Sequence, residues 1–254
     1  MEEIKIESVK QLDKEIQRLP DGLLFRGQSM HYVDETGSVS MPTSFARNGC
    51  EPPLQLKWSH YARFIHRALT GKYTKDLHQA QAILQLYGWR SFFIDVASNP
   101  AVGAWFASHA FESRQVLELC EDCAELPLFA RHQLASYSQA REMGYLYVVD
   151  STAVRQSGIE LFDLTEIEAT DCRPRFHAQS AWLIGPLRDN LPPEVIRACI
   201  SGPAGVFSAY AAGAGLSGTS DLFPPRHEDQ MLTLLLSVPW ELVADLGGVP
   251  VFSR

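Results

Sequence analysis

Polar side chains stand beside apolar runs at three places in this sequence. Arg26 follows Leu23-Leu24-Phe25, Ser91 and Asp95 bracket Phe92-Phe93-Ile94, and Arg175 and Gln179 flank Phe176-His177-Ala178. A guanidinium delivered by a buried strand must meet a carboxylate or an anionic ligand, because a lone buried cation is costly. Two readings of Arg26 follow: a structural ion pair with Asp95, or an anion site. Gln179 taken alone reads as a satisfied core amide, and Tyr87 as a core ring whose hydroxyl is its polar handle.

Other patterns carry less. Gly213-Ala214-Gly215-Leu216-Ser217-Gly218 spells the dinucleotide fingerprint. That fingerprint needs a strand before it, a helix after it and an acid about 20 residues further on, and Asp221, Pro224 and Pro225 interrupt any immediate helix. Cys120 and Cys123 form one CxxC with His109 and His132 on either side. Zinc needs four convergent ligands, so no metal is expected. In His227-Glu228-Asp229, adjacent residues point in different directions and cannot all reach one ion, which leaves a single member free for catalysis. No GxSxG, HExxH or GxxxxGK[ST] pattern occurs, which drops the serine-hydrolase, zincin and P-loop readings.

The elements that must position these residues follow from periodicity. Ser8 with Gln11 makes a capping-box pattern, and Val9, Leu12, Ile16 and Leu19 recur at helical spacing before Pro20-Asp21-Gly22 turns the chain. Leu23 to Phe25 reads as a buried strand ending in Arg26-Gly27. Trp58, Tyr61, Ile65 and Ala68 predict one helix, and Leu77, Ala80, Leu84 and Tyr87 a second, closed by Gly88. Ser91 to Val96 is β-prone; Asn99 as N-cap and Pro100 at N1 then start a helix reaching about Phe111. Gly144 to Val149, Ile159 to Leu164 and Phe176 to Ile184 read as strands, Pro192-Pro193 opens a short helix, and Ala211 to Ser220 reads as a flexible loop. Residues 112–142 give no clear pattern. The whole reads as one α+β domain over residues 1–254, with no internal repeat.

Composition limits the function classes. The chain has 254 residues, 46% of them hydrophobic and 20% charged, so it is long enough to bury a core without disulfide staples. Its 22 Lys and Arg against 30 Asp and Glu leave a net charge of −8, which argues against a surface gripping nucleic acid throughout but permits a local basic cleft. Five cysteines, an odd number, fit a reducing compartment. No apolar run approaches the roughly 20 residues a membrane span needs, and the acidic start MEEIKIESVKQLDKEIQRL is unlike a secretory signal, so a cytoplasmic protein without membrane contact is expected.

Several segments resemble one family in its order of motifs. Phe25-Arg26-Gly27-Gln28 is similar to the motif for which FRG-domain proteins are named, and Met41-Pro42-Thr43-Ser44-Phe45-Ala46-Arg47 to the Pro-Ser…Arg segment after it. Gln85-Leu86-Tyr87-Gly88 through Ser91-Phe92-Phe93-Ile94-Asp95, then Asn99-Pro100 and Trp105-Phe106-Ala107, resembles the family's longest block. Arg175-Phe176-His177-Ala178-Gln179 resembles its R-x-x-A-Q element, and Leu222-Phe223-Pro224 its late Phe-Pro. The chain departs from the pattern where Leu86 replaces histidine, Arg90 proline, Phe92 arginine, Val96-Ala97 Trp-Thr, Ala181 glycine, and Pro225-Arg226-His227-Glu228 a set of acids.

The resemblance implies a bacterial or phage setting near defence or toxin systems. The family's order of elements is similar to an ADP-ribosyltransferase layout: a mixed or antiparallel sheet with flanking helices, an arginine on an early strand, a Ser on a later one and a Gln on a late one, here Arg26, Ser91 and Gln179. On this analogy NAD is the substrate. Arg26, Gly27, Gln28, Tyr87, Ser91 and Arg175 would hold it, Tyr87 by stacking on the nicotinamide. Gln179 would bond a ribose hydroxyl, and either Asp95 or Glu228 would stabilise the positive charge that builds on the sugar as the nicotinamide leaves. A macromolecular acceptor, protein or nucleic acid, or a protein partner would complete the system. The alternative is a module without chemistry that binds a nucleotide or nucleic-acid end, or one that only contacts a protein.

Overall fold

The structure, a computed structural model, describes residues 1–47, 77–120, 128–166, 174–236 and 251–252. The helix expected over Trp58 to Ala68 and the residues Cys50, Cys123 and Cys172 lie outside them. Strand β1 is Glu2–Lys5, helix α1 Val9–Gln17, strand β2 Leu23–Gln28, and a short helix α2 spans Ser44–Arg47. Helix α3 (Leu77–Leu86) precedes strand β3 (Ile94–Ala97) and helix α4 (Pro100–Ala107). Strands β4 (His109–Cys120), β5 (Leu128–Gln139) and β6 (Met143–Asp150) lead to helix α5 (Ser151–Gln156) and strand β7 (Leu161–Asp163). The remainder comprises α6 (Pro174–Ala178), β8 (Ala181–Ile184), β9 (Ile196–Pro203), α7 (Ala204–Gly213), α8 (Thr219–Leu222), α9 (Gln230–Leu236) and β10 (Val251–Phe252).

The architecture is α+β. Seven strands form one mixed sheet in the order β1-β9-β6-β2-β3-β8-β7, in which β1 and β9 are parallel and the other pairs antiparallel; β10, β5 and β4 make a second sheet of three. Because strand side chains alternate between faces, Leu23 and Phe25 pack with Leu12, Trp105, Leu146 and Phe207 on one side, and Leu24 with Tyr147, Val149, Ile94 and Val96 on the other. A third core, built on Leu84, Tyr87, Trp89, Phe176 and Met231, joins α3, α6 and α9.

Local chemistry explains where the helices begin. Ser8 accepts from the N–H of Gln11 at the head of α1, and Asn99 from that of Ala101 at the head of α4, with Pro100 in the first helical turn. Helix α4 stops at Ala107, earlier than the expected Phe111, because the Ser108 hydroxyl bonds the Trp105 carbonyl and the chain turns directly into β4. Residues 112–142, unassigned by pattern, belong largely to the β4–β5 pair, whose twelve-residue register runs from His109↔Gln139 to Cys120↔Leu128. The expected strand Phe176 to Ile184 is two elements. Helix α6 ends at Ala178, Ser180 takes φ +43, and only then does β8 begin, so the R-x-x-A-Q segment is helical. Likewise β3 starts at Ile94, after Ser91, and the presumed flexible loop at Ala211 is the last turn of α7 as far as Gly213.

Two glycines let α4 lie directly on β2. A Cβ at Gly27 would overlap the carbonyl oxygen of Gly103, and one at Gly103 would come within 2.6 Å of Leu146 and 2.9 Å of the Phe25 Cβ. The glycine of the Phe-Arg-Gly motif is thus a contact surface for a helix.

Candidate functional site

Strands β2 and β3 share one registered pair, Phe25↔Ala97, and diverge beyond it. A cleft of about 250 Å³ opens in the gap, with Arg26, Gly27 and Gln28 on one side and Asp95 and Val96 on the other. The guanidinium of Arg26 spans it: Nη1 donates to the backbone oxygen of Asp95 at 2.7 Å and lies 2.8 Å from its carboxylate Oδ1. A ladder N–H would normally serve that backbone oxygen, and here the arginine takes its place.

Asp95 is held from behind as well. Gln85 Nε2 donates to Asp95 Oδ1 at 3.3 Å, and Gln85 Oε1 accepts from the Ser91 hydroxyl at 2.9 Å. The Ser91 oxygen in turn accepts from the Phe93 N–H, and the Ser91 N–H donates to Ser44 Oγ. Burial pushes the Asp95 carboxyl up, but the charge and hydrogen bond of Arg26 and the charge of Arg47 outweigh it, and the net shift is downward. Asp95 is therefore an ionised carboxylate at neutral pH, about half exposed to the cleft at 47% of its side chain.

Arg47, at the end of α2, also lines the cleft. Loss of water around its guanidinium, followed by repulsion from Arg26, moves its pKa down. Among the described residues no carboxylate forms an ion pair with it. Two cations thus share one carboxylate. Around them stand Tyr32, Phe106, Phe111 and Tyr137, with His109 and Gln179. Tyr137 stacks on Phe223 at 5.2 Å and meets Trp105 edge-on; burial, then the negative charge of Asp95, raises its pKa and keeps the phenol protonated. Arg26 Nε and Gln28 Oε1 are buried without a hydrogen-bond partner among the described residues, a leftover donor and a leftover acceptor on the same strand.

The structure therefore brings together Arg26, Gly27, Gln28, Asp95 and Gln179 and separates the other expected site residues from them. Gln179 is 6% exposed and its amide nitrogen donates to Leu222 O at 3.0 Å, which ties the R-x-x-A-Q segment to the Leu222-Phe223-Pro224 segment. Ser91 is fully buried and spends its hydroxyl on Gln85, so it braces Asp95 and does not line the cleft. Tyr87 and Arg175, expected beside a ligand, are wholly buried elsewhere. The Arg175 Cζ sits 4.3 Å over the Tyr87 ring, the Tyr87 hydroxyl donates to Asp229, and Asp229 Oδ2 is 3.5 Å from Arg175 Nε. Glu228 is exposed beside His227 and away from the cleft; its neighbour Asp229 is the acid that turns inward, where burial raises its carboxyl pKa despite Arg175.

Pattern reading missed Arg47, His109 and Tyr137. Arg47 is visible only as the end of the Pro-Ser…Arg segment. His109 stands in the sequence as a flank of the CxxC, and Tyr137 falls in the unassigned stretch. Among the described residues no group of three or more His, Cys, Asp or Glu could hold a metal ion, and no helix is long and apolar enough to cross a membrane. Compared with protein-family models, curated proteins and solved structures, the chain matches none.

Proposed function

We propose that the cleft binds NAD and that the protein, read as an FRG-domain member in which only Arg26 of the three layout residues lies on a strand, breaks the bond between nicotinamide and ribose, as an ADP-ribosyltransferase or NAD glycohydrolase. The observation that carries this reading is the ionised Asp95 held by Arg26 in an open cleft, beside a second arginine and aromatic rings. Departure of nicotinamide leaves positive charge on the ribose, and a fixed carboxylate stabilises it without reorganising. Of the two acids considered from sequence, Asp95 is the one in the cleft, and it takes that role.

Arg47 pairs with the pyrophosphate, since a guanidinium fork suits phosphate oxygens. The rings of Tyr32, Phe106 and Tyr137 offer faces for the nicotinamide. At about 250 Å³ the cleft is smaller than the roughly 300–1,000 Å³ of pockets that enclose a whole drug-sized ligand. It takes the nicotinamide-ribose half and leaves the adenosine outside. The acceptor is water, a protein or a nucleic acid, in a cytoplasmic defence or toxin setting.

One observation favours the rival, a non-catalytic nucleotide- or nucleic-acid-binding module or protein-interaction component. Leu86, which stands where the resemblance places a histidine, lines this cleft, so no titratable group acts from that position. Nicotinamide release from NAD by the purified protein decides between them, with Arg26→Ala as control. Release that disappears in the variant supports the enzyme. A rise in melting temperature with NAD but no release leaves the binding module, and neither effect removes both ligand readings.

A further inference from the structure

His109 is the imidazole among the residues lining the cleft, and its ring is fixed twice over. Nδ1 lies 2.7 Å from the carbonyl oxygen of Trp105 and 3.0 Å from Ser108 Oγ. A carbonyl only accepts, so Nδ1 carries the hydrogen. The Ser108 hydroxyl donates its own hydrogen to the same carbonyl at 2.8 Å, which leaves its oxygen as an acceptor too. In the neutral ring Nε2 is then the lone-pair nitrogen. The Trp105 indole stacks against the imidazole, 4.0 Å between centroids and 11° from parallel, so the ring cannot turn away. This is the arrangement a general base requires: one nitrogen held by a fixed acceptor, the other available, on the first residue of β4 directly after the end of α4.

We propose that His109 is the general base of the reaction proposed above, taking a proton at Nε2 from the attacking water or acceptor hydroxyl; the inference rests on that reading of the cleft. The bond from the nicotinamide nitrogen to ribose C1′ breaks, and its electron pair stays on the nitrogen, which loses its formal charge. The nucleophile's oxygen supplies the pair for the new C1′–O bond, and its proton passes to Nε2, with no oxidation or reduction. The other titratable groups on the cleft wall do not serve: Arg26 and Arg47 are cations, Asp95 is tied to Arg26, Tyr137 holds its proton, and the Tyr32 hydroxyl donates to Met30 Sδ.

The test is nicotinamide release as a function of pH for wild type, His109→Gln and His109→Ala, with NAD-induced thermal shifts measured in parallel. In His109→Gln the side-chain amide keeps a donor for the Trp105 carbonyl. The expected result is a loss of roughly 10²–10⁴-fold in turnover with the thermal shift retained, disappearance of the acid limb of the wild-type profile, and partial rescue of His109→Ala by free imidazole. Turnover of folded His109→Gln within threefold of wild type and an unchanged pH profile would overturn the role of His109 while leaving the NAD reading intact. A wild-type protein that neither binds NAD nor releases nicotinamide overturns both.

Discussion

One nitrogen of Arg26 holds Asp95 at two points, 2.7 Å from its backbone oxygen and 2.8 Å from its carboxylate. Position and charge of the acid are set by the same contact. The planar guanidinium fixes the direction of that nitrogen's N–H bonds, whereas an ammonium is a rotating point charge on a flexible stem. Arg26→Lys is therefore expected to keep the cleft's charge and still lose most turnover, about 10²-fold, because a carboxylate displaced by an ångström loses its hold on the developing charge. Steady-state nicotinamide release checks this, and a lysine variant with wild-type turnover would show that charge alone suffices.

Arg47 makes no ion pair among the described residues and acts on Asp95 only through its charge, so its removal falls chiefly on the ligand. A charge-assisted hydrogen bond contributes about 1.5–3 kcal/mol, so Arg47→Ala is expected to raise the KM for NAD by roughly tenfold or more with kcat little changed. A fall in kcat at constant KM would place Arg47 on the reacting atoms instead of the phosphates.

The two inward-facing carboxylates respond to pH with opposite sign. Asp95 sits below its ordinary value of 3.8, so its stabilisation is present above that value and is lost as pH falls through the lower folded one. Asp229 sits above 3.8, so folding takes up a proton there; its contribution is fully present below 3.8 and is lost as pH rises through the raised value. Melting temperatures across the acid range are expected to show the stability lead of wild type over Asp95→Asn growing with pH, and that over Asp229→Asn shrinking. Parallel curves for either variant would contradict the assigned direction.

Gly27 has no room for a side chain, because its Cβ would meet the Gly103 carbonyl in α4. Gly27→Ala must push the helix off the strand, and such overpacking typically costs about 1–3 kcal/mol. A denaturant melt is expected to show at least that loss, with turnover falling in the folded fraction since Phe106 on the same helix lines the cleft. Unchanged stability would mean that α4 can move without consequence.

Sequence pattern by itself determined the elements that are locally encoded. Ser8 and Asn99 cap helices because their side chains reach backbone N–H groups two or three residues away, and Leu23-Leu24-Phe25 alternates between two apolar faces whatever the rest of the chain does. The same local logic made Arg26 and Asp95 candidates for one another. Strands β1 and β9 escaped notice because the first is short and mostly polar and the second ends in Gly202-Pro203, a pair typical of turns. Only the tertiary structure decided which polar residues share a space. Ser91, Tyr87 and Arg175 carry the same chemistry as cleft residues, yet each turns into a core, since the direction of a side chain depends on where β3 starts and on α6 being a helix. His109 and Tyr137 reach the cleft through the β4–β5 pairing, whose register links residues as far as 30 positions apart. Such contacts are set by packing between distant segments, and no periodicity within either segment encodes them.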